Sequence, residues 1–290
     1  MATLKEIKGR IGSVSNTLKI TSAMKMVASA KLHRTQSATE NLIAYEEALE
    51  SISEPLRCSH TENNSPYIAP HKESRRAIIV ALSSDSSLCG SFNANIIKYL
   101  ESYIRNQSEE FEEITIYPIG EKIAQSVAKS GHKCNLSRRN MAQNSSFESV
   151  AQLTEEYMEL YRSESVDRVV LLYNHFQSVG RQTPTHEVLL PMSLKSEESE
   201  EGSSVDIDYI IEPDIKSLNE KLIPHALRTK LYKTLLDSQV AEHAARMVAM
   251  QTATDNATEL LEELRLSYNK GRQQAITAEL ADITQASSEN

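Results

Sequence analysis

PHALRTKLYKTLLDSQVAEHAARMVAMQTATDNATELLEELRLSYNKGRQQAITAELADITQ, residues 224–285, is the stretch that decides the fold. After Pro224 it runs to Gln285 without a second proline and with a single glycine, Gly271. Backbone free of both breakers over that length has no local reason to leave the α-helix, so the stretch predicts one long helix. At 1.5 Å rise per residue such a helix would measure roughly 90 Å, about three times the span of a small domain, and cannot be packed inside one. Within it Met250, Ala253, Ala257, Leu260 and Leu264 recur at steps of 3, 4, 3 and 4, the heptad spacing that turns one apolar seam toward a partner helix.

The other end of the chain supplies that partner. Residues 1–54 also lack proline and carry Ile7, Ile11, Val14 and Leu18 at steps of 4, 3 and 4, a stripe that continues through Ile20, Met24 and Val27. The first helix is expected from about Thr3 to the region of Ser53, with Gly9 and Gly12 weakening its first turns and Pro55 marking its end. Two terminal helices separated by a compact insert predict an antiparallel coiled coil closed by a middle domain.

The insert has its own signature. Residues 57–74 collect Asn63, Asn64, Pro66 and Pro70, a breaker-rich link. Arg76–Leu82, Ile114–Ile119 and Asp167–Tyr173 are short apolar, β-branched runs; helical patterns follow through Ile96, Ile97, Leu100 and Ile104, over Glu121–Ser130 closed by Gly131, and over Phe147–Tyr161. Alternating strands and helices imply a largely parallel sheet covered on both faces, a Rossmann-like α/β layer. Two more strands are expected at His186–Leu190 and Ile207–Ile211, flanking an acidic, serine-rich loop at Lys195–Ser204. The domain reading is residues 1–56 for the first coiled-coil helix, 57–74 for the linker, 75–214 for the α/β domain and 215–290 for the second helix.

The net charge of −9 is unevenly spread, because residues 1–36 hold seven basic side chains against Glu6 alone. A basic rod on an acidic protein can attract nucleic acid, anionic lipid or an acidic protein surface, and charge does not choose among them. Cys58, Cys89 and Cys134 have no metal-like spacing and an odd count, which fits reduced thiols. No apolar run approaches the ~20 residues that span a bilayer, and the start carries neither a secretory signal nor a transit peptide.

Enzymatic signals are weak. Ser84–Gly90 (SDSSLCG) follows a strand and opens a helix, where open sheets bind ligands, yet it has one glycine and no lysine to serve a phosphate. Cys89 fits a buried structural thiol better than a nucleophile, and the eight histidines show no metal spacing. A coiled-coil adaptor docking nucleic acid or lipid through its basic helix is an alternative, set against by the acidic total and the lack of stacking aromatics on that helix; an enzyme built on the sheet comes third.

Several stretches together resemble the gamma-subunit family of bacterial F-type ATP synthases, over nearly the whole chain and most strongly at both ends. They are Ile11-x-Ser13-Val14-x-Asn16-Thr17-x-Lys19-Ile20-Thr21-x-Ala23-Met24-x-Met26-Val27-Ala28; Leu88-Cys89-Gly90; Glu212-Pro213-Asp214; Ala244-Ala245-Arg246-Met247-x-Ala249-Met250 with Ala253-Thr254-Asp255-Asn256; and Tyr268-Asn269-Lys270, Arg272-Gln273 and Ile276-Thr277-x-Glu279. The chain departs from the family pattern at Ser86-Ser87, where Arg-Gly is usual, at Gly271, where alanine is usual, and at Ala286-Ser287, where Gly-Ala is usual.

The resemblance implies a rotor: a shaft inside a ring of alternating alpha and beta subunits, with its foot and globular domain on epsilon and the c-subunit ring, coupling proton-driven rotation to ATP synthesis and hydrolysis at beta sites. It implies a non-catalytic subunit with no cofactor and no nucleic acid, peripheral on the cytoplasmic face of the bacterial plasma membrane. By family position Met24, Lys25, Arg272 and Gln273 would contact beta, and Tyr209 and Glu212 would lie near the c ring and epsilon.

Overall fold

A computed structural model of the chain describes residues 3–58, 65–68, 70–71, 75–108, 110–135, 138, 141–143, 145–192 and 215–288. The elements in order are α1 (Leu4–Cys58), β1 (Arg76–Leu82), α2 (Phe92–Gln107), β2 (Glu113–Ile119), α3 (Glu121–Ser130), α4 (Phe147–Arg162), β3 (Arg168–Ser178), β4 (Arg181–Leu190) and α5 (Ile215–Ser288). They form two compact units, Met1–Ser29 with Arg246–Asn290, and Ala30–Ala245. The strand expected at Ile207–Ile211 and the acidic loop at Lys195–Ser204 lie outside the described residues.

The first unit is a two-helix pair. Leu4 of α1 lies against Gly271 of α5, and Thr254 Oγ1 donates to Thr21 Oγ1 at 2.9 Å. As the α1 number rises the α5 number falls by the same amount, which is the antiparallel arrangement. On α1 the seam runs through half-buried Ile7, Ile11, Val14 and Leu18 into buried Thr21 and Ala28. It does not pass through Ile20 and Val27, which are 60% and 57% exposed. Stepping from Leu18 to Ile20 would break the 3–4 spacing, whereas Thr21 keeps it, so heptad geometry overrides side-chain hydrophobicity.

The same correction applies on α5, where the buried leucine is Leu261 and Leu260 is 45% exposed. Both fit the heptad between Ala257 and Leu264, and only the partner helix separates them. Leu261→Ala is therefore expected to cost about 2–3 kcal/mol in urea unfolding of the full chain, against less than about 1 kcal/mol for Leu260→Ala. Gly271 faces the partner helix: a Cβ there would stand 3.2 Å from Leu4 Cδ2, so the glycine gives room at the close approach.

The second unit is built on a sheet of order β2-β1-β3-β4, with β1 parallel to β2 and β3, and β4 antiparallel to β3. Alternate side chains of β1 and β3 point to opposite faces, as the two-residue period requires. Ile78, Val80, Leu82, Val169, Leu171 and Tyr173 face α4 (Val150, Leu153, Tyr157, Tyr161) and α5 (Ile223, Leu227, Leu231, Leu235). Ile79, Ala81, Val170 and Leu172 face α2 (Ile96, Leu100) and α3 (Ile123, Val127). Burial on both faces makes these strands continuous apolar runs and therefore legible. Helix α3 has the expected bounds, and Gly131 closes it in the left-handed conformation at φ 73°.

The remaining bounds shift for identifiable reasons. β3 extends to Ser178 and β4 begins at Arg181, joined as a hairpin through Val179 and Gly180; its outer residues are mostly exposed and polar, so no apolar run announces them. Helix α1 continues to Cys58, one turn past Pro55. Helix α5 begins at Ile215 and carries Pro224 in its interior. An interior proline costs about 3 kcal/mol, and here it sits beside Ile223 and Leu227, whose burial on the sheet offsets that cost.

A buried carboxylate ties the entrance of the sheet together. Asp167 accepts from the backbone N–H of Arg75 and Arg76 at 2.9 and 2.8 Å and is bonded by His71 Nδ1 at 3.0 Å, while the His71 ring stacks on Tyr161. Burial pushes this carboxyl up, but the backbone bonds and His71 outweigh it and hold it below its ordinary value. A carboxyl depressed by folding contributes stability above its unfolded pKa and loses it as pH falls through the folded one. Asp167→Asn should thus cost about 1–2 kcal/mol at neutral pH and flatten the loss of stability below about pH 4, read from urea midpoints across pH.

Candidate functional site

The end of the sheet at which ligands commonly bind is filled by the chain's own groups. Beyond β1, Ser83 Oγ accepts from Ile123 N at 3.0 Å, Asp85 Oδ1 from Glu121 N at 3.1 Å, and Ser84 O from Lys122 N at 3.2 Å. These are the first N–H groups of α3, the donors a bound phosphate would use. Cys89 is buried against Phe92, Ala241 and Ala245, and its Sγ accepts from Asn93 Nδ2 at 3.1 Å. Ser84 Oγ lies 3.6 Å from that sulfur and 2.7 Å from Ser86 O. Cys89 is thus a packed thiol within a hydrogen-bonded turn, the structural role the sequence favoured. Leu88 beside it takes φ 68° and is 58% exposed.

The surfaces that face outward on the two-helix unit are different in kind. Met24 and Lys25 are half-buried on α1, with Ile20, Met26 and Val27 open beside them. Arg272 and Gln273 are exposed on α5, near Leu266 at 71%, Ile276 at 49% and Leu280 at 58% exposure. Large apolar side chains concentrated on one solvated unit mark a contact surface. Sequence spacing had assigned Ile20, Val27 and Leu260 to the seam, so this surface was under-read; the break in 3–4 spacing after Leu18 could have excluded Ile20, whereas Leu260 fits its heptad and only the partner helix excludes it.

The pairing register sets these groups at two levels. Thr21 stands opposite Thr254, so Met24 and Lys25 lie near Gln251 and Met250, and Leu4 stands opposite Gly271, beside Arg272 and Gln273. About twenty residues of helix separate the two levels, roughly 30 Å at 1.5 Å per residue. The structure therefore does not bring the four residues into one site. Tyr209 and Glu212 lie outside the described residues. Among the described residues no helix is long and apolar enough to cross a membrane.

A family model described as ATP synthase matches residues 3–288. The chain is 48% identical to the ATP synthase gamma chain of Phocaeicola vulgatus, with 98% of each chain covered. It is 40% identical to that of Geobacter sp., covering 99% of this chain and 98% of the relative. Among solved structures, a chain of the Euglena gracilis mitochondrial ATP synthase OSCP/F1/c-ring assembly in rotational state 3 is similar at TM-score 0.66 and 20% identity, covering 98% of this chain and 93% of that one. A chain of the Tetrahymena thermophila mitochondrial ATP synthase central stalk and c ring is similar at TM-score 0.58 and 24% identity, over 81% of this chain and 99% of that one. The structural likenesses concern the fold, and the sequence relatives carry the family. Matched almost from end to end by the family model and by these gamma-chain relatives, the chain belongs to the ATP synthase gamma family.

Proposed function

We propose that the two-helix unit turns inside a ring of alternating alpha and beta subunits and transmits rotation of a c-subunit ring, driven by protons, to the nucleotide sites on beta. Met24 with Lys25 and Arg272 with Gln273 are its two contact levels toward beta. The α/β unit, with Tyr209 and Glu212, faces epsilon and the c ring, and the assembly works on the cytoplasmic face of the bacterial plasma membrane. The observation that carries this reading is the exposure of Ile20, Met26, Val27, Leu266, Ile276 and Leu280 on one unit. A rotor needs many weak, largely apolar contacts, because a few strong paired ones would hold it at one angle. A basic first helix suits acidic surfaces passing by, through attractions too weak to trap it.

Arg272→Ala combined with Gln273→Ala is expected to lower coupled ATP turnover of the assembled enzyme about tenfold, the effect of losing one or two hydrogen bonds made in only one rotational state. Both residues are exposed, so the unfolding midpoint should stay within about 0.5 kcal/mol of wild type. Unchanged turnover would remove these two residues from the assignment. Affinity capture of the tagged chain from gently solubilised membranes tests the partners directly: alpha and beta should arrive in threefold excess over this chain, with ATPase activity.

A further inference from the structure

A cluster of ionisable side chains lies within the second unit, apart from the residues proposed to contact beta. His175 on β3 is half-exposed, and its Nδ1 lies 2.6 Å from Asp237 Oδ2 on α5, a carboxylate with 16% of its side chain accessible. The other oxygen of Asp237 accepts from Phe176 N at 3.1 Å. On the same strand, buried Tyr173 donates to Glu187 of β4. Lys233 of α5 pairs with Glu46 of α1, and both Glu46 and Asp237 act on Tyr173 electrostatically. The groups facing one another are therefore Glu46 from α1, Tyr173 and His175 from β3, Glu187 from β4, and Lys233 and Asp237 from α5. Lys230 of α5 stands beside them, donating to Val188 O of β4 at 2.9 Å, so three carboxylates meet two lysines.

We propose that this cluster is a proton-responsive clasp, in which His175 binding a proton tightens the hold of the β3–β4 hairpin on α5. Neutral His175 gives Asp237 one ordinary hydrogen bond and leaves the carboxylate excess uncompensated. Protonated His175 gives a charge-assisted bond and cancels the surplus negative charge. Its half-exposed ring is open to solvent, whereas Asp237 is mostly covered. Burial pushes the Asp237 carboxyl up, partly offset by His175 and the Phe176 N–H, so an ionised Asp237 costs the fold something that a cation beside it recovers. The clasp is tightest with the imidazole protonated beside the ionised carboxylate and loosens when His175 gives up its proton.

Hydrogen–deuterium exchange on the complete enzyme reads the clasp without reference to any subunit contact, so its failure would leave the rotor reading standing. Peptides spanning 173–178 and 232–238 are compared at about pH 6 and about pH 8, with labelling times scaled for intrinsic exchange and a peptide across β1 as internal reference. In wild type, protection of 173–178 should fall about three- to tenfold from the lower to the higher pH relative to β1. In His175→Gln, protection should be the same at both. Equal protection of the wild-type peptide at the two pH values would overturn the proposal, as would retention of the full pH response in His175→Gln. The wild-type comparison stands even if the variant fails to assemble.

Discussion

Gly120→Ala should leave the α/β unit largely unfolded at the temperature where wild type is stable. Gly120 opens α3 at φ 105°, ψ 146°, a conformation close to the region that only glycine occupies readily. A Cβ there would stand 2.2 Å from Ser83 O and 2.7 Å from Ser83 Oγ. Ser83 cannot retreat, since its N–H donates to Ile119 O at 2.8 Å and its Oγ holds Ile123 N. Backbone strain and a backbone clash together cost roughly 4 kcal/mol or more, a large share of the 5–15 kcal/mol by which a domain is stable. Gly131→Ala is the matched control: φ is 73° and nothing lies within 4 Å of its Cβ, so about 1 kcal/mol should be lost. Soluble yield and the urea midpoint of both variants are the readouts. A Gly120→Ala chain as stable as Gly131→Ala would contradict the packing of β1 against the start of α3.

Leu231→Ala should cost about 3–4 kcal/mol, the usual loss when a fully buried leucine is cut back and its cavity only partly collapses. Leu227, Leu231 and Leu235 recur every four residues on α5 and are buried on the sheet with Val150, Tyr157 and Tyr161. Leu266→Ala, on the same helix at 71% exposure, should change stability by no more than about 0.5 kcal/mol. The pair is measured by urea unfolding followed by circular dichroism. Equal effects would mean that the early part of α5 is not part of the α/β core.

That second expectation lies at the boundary of what the sequence could reveal. Breaker-free length, heptad spacing at both chain ends and three apolar strand runs were legible because each is a local or periodic property. All four described strands were expected, β4 only over its inner half at His186–Leu190, and α3 was expected with its full bounds. The outer halves of β3 and β4 were not legible, because His175, Gln177, Gln182 and Thr183 alternate no apolar face. The filled end of the sheet was only partly legible: the single glycine and the absence of lysine at Ser84–Gly90 were visible, but the use of Asp85, Ser83 and Ser84 to satisfy α3 requires knowing that β2 lies beside β1.

By itself the sequence determined two terminal helices able to pair, an α/β insert between them and membership of the gamma family, since these rest on periodicity and ordered motifs. Only the tertiary structure decided which of Leu260 and Leu261 is buried, that Thr21 rather than Ile20 continues the seam, that α5 serves the sheet as well as the helix pair, and that Lys25 and Arg272 stand at separate levels. Periodicity assigns a residue to a stripe about 100° wide. The partner surface then selects within that stripe, and no single helix carries the coordinates of its partner.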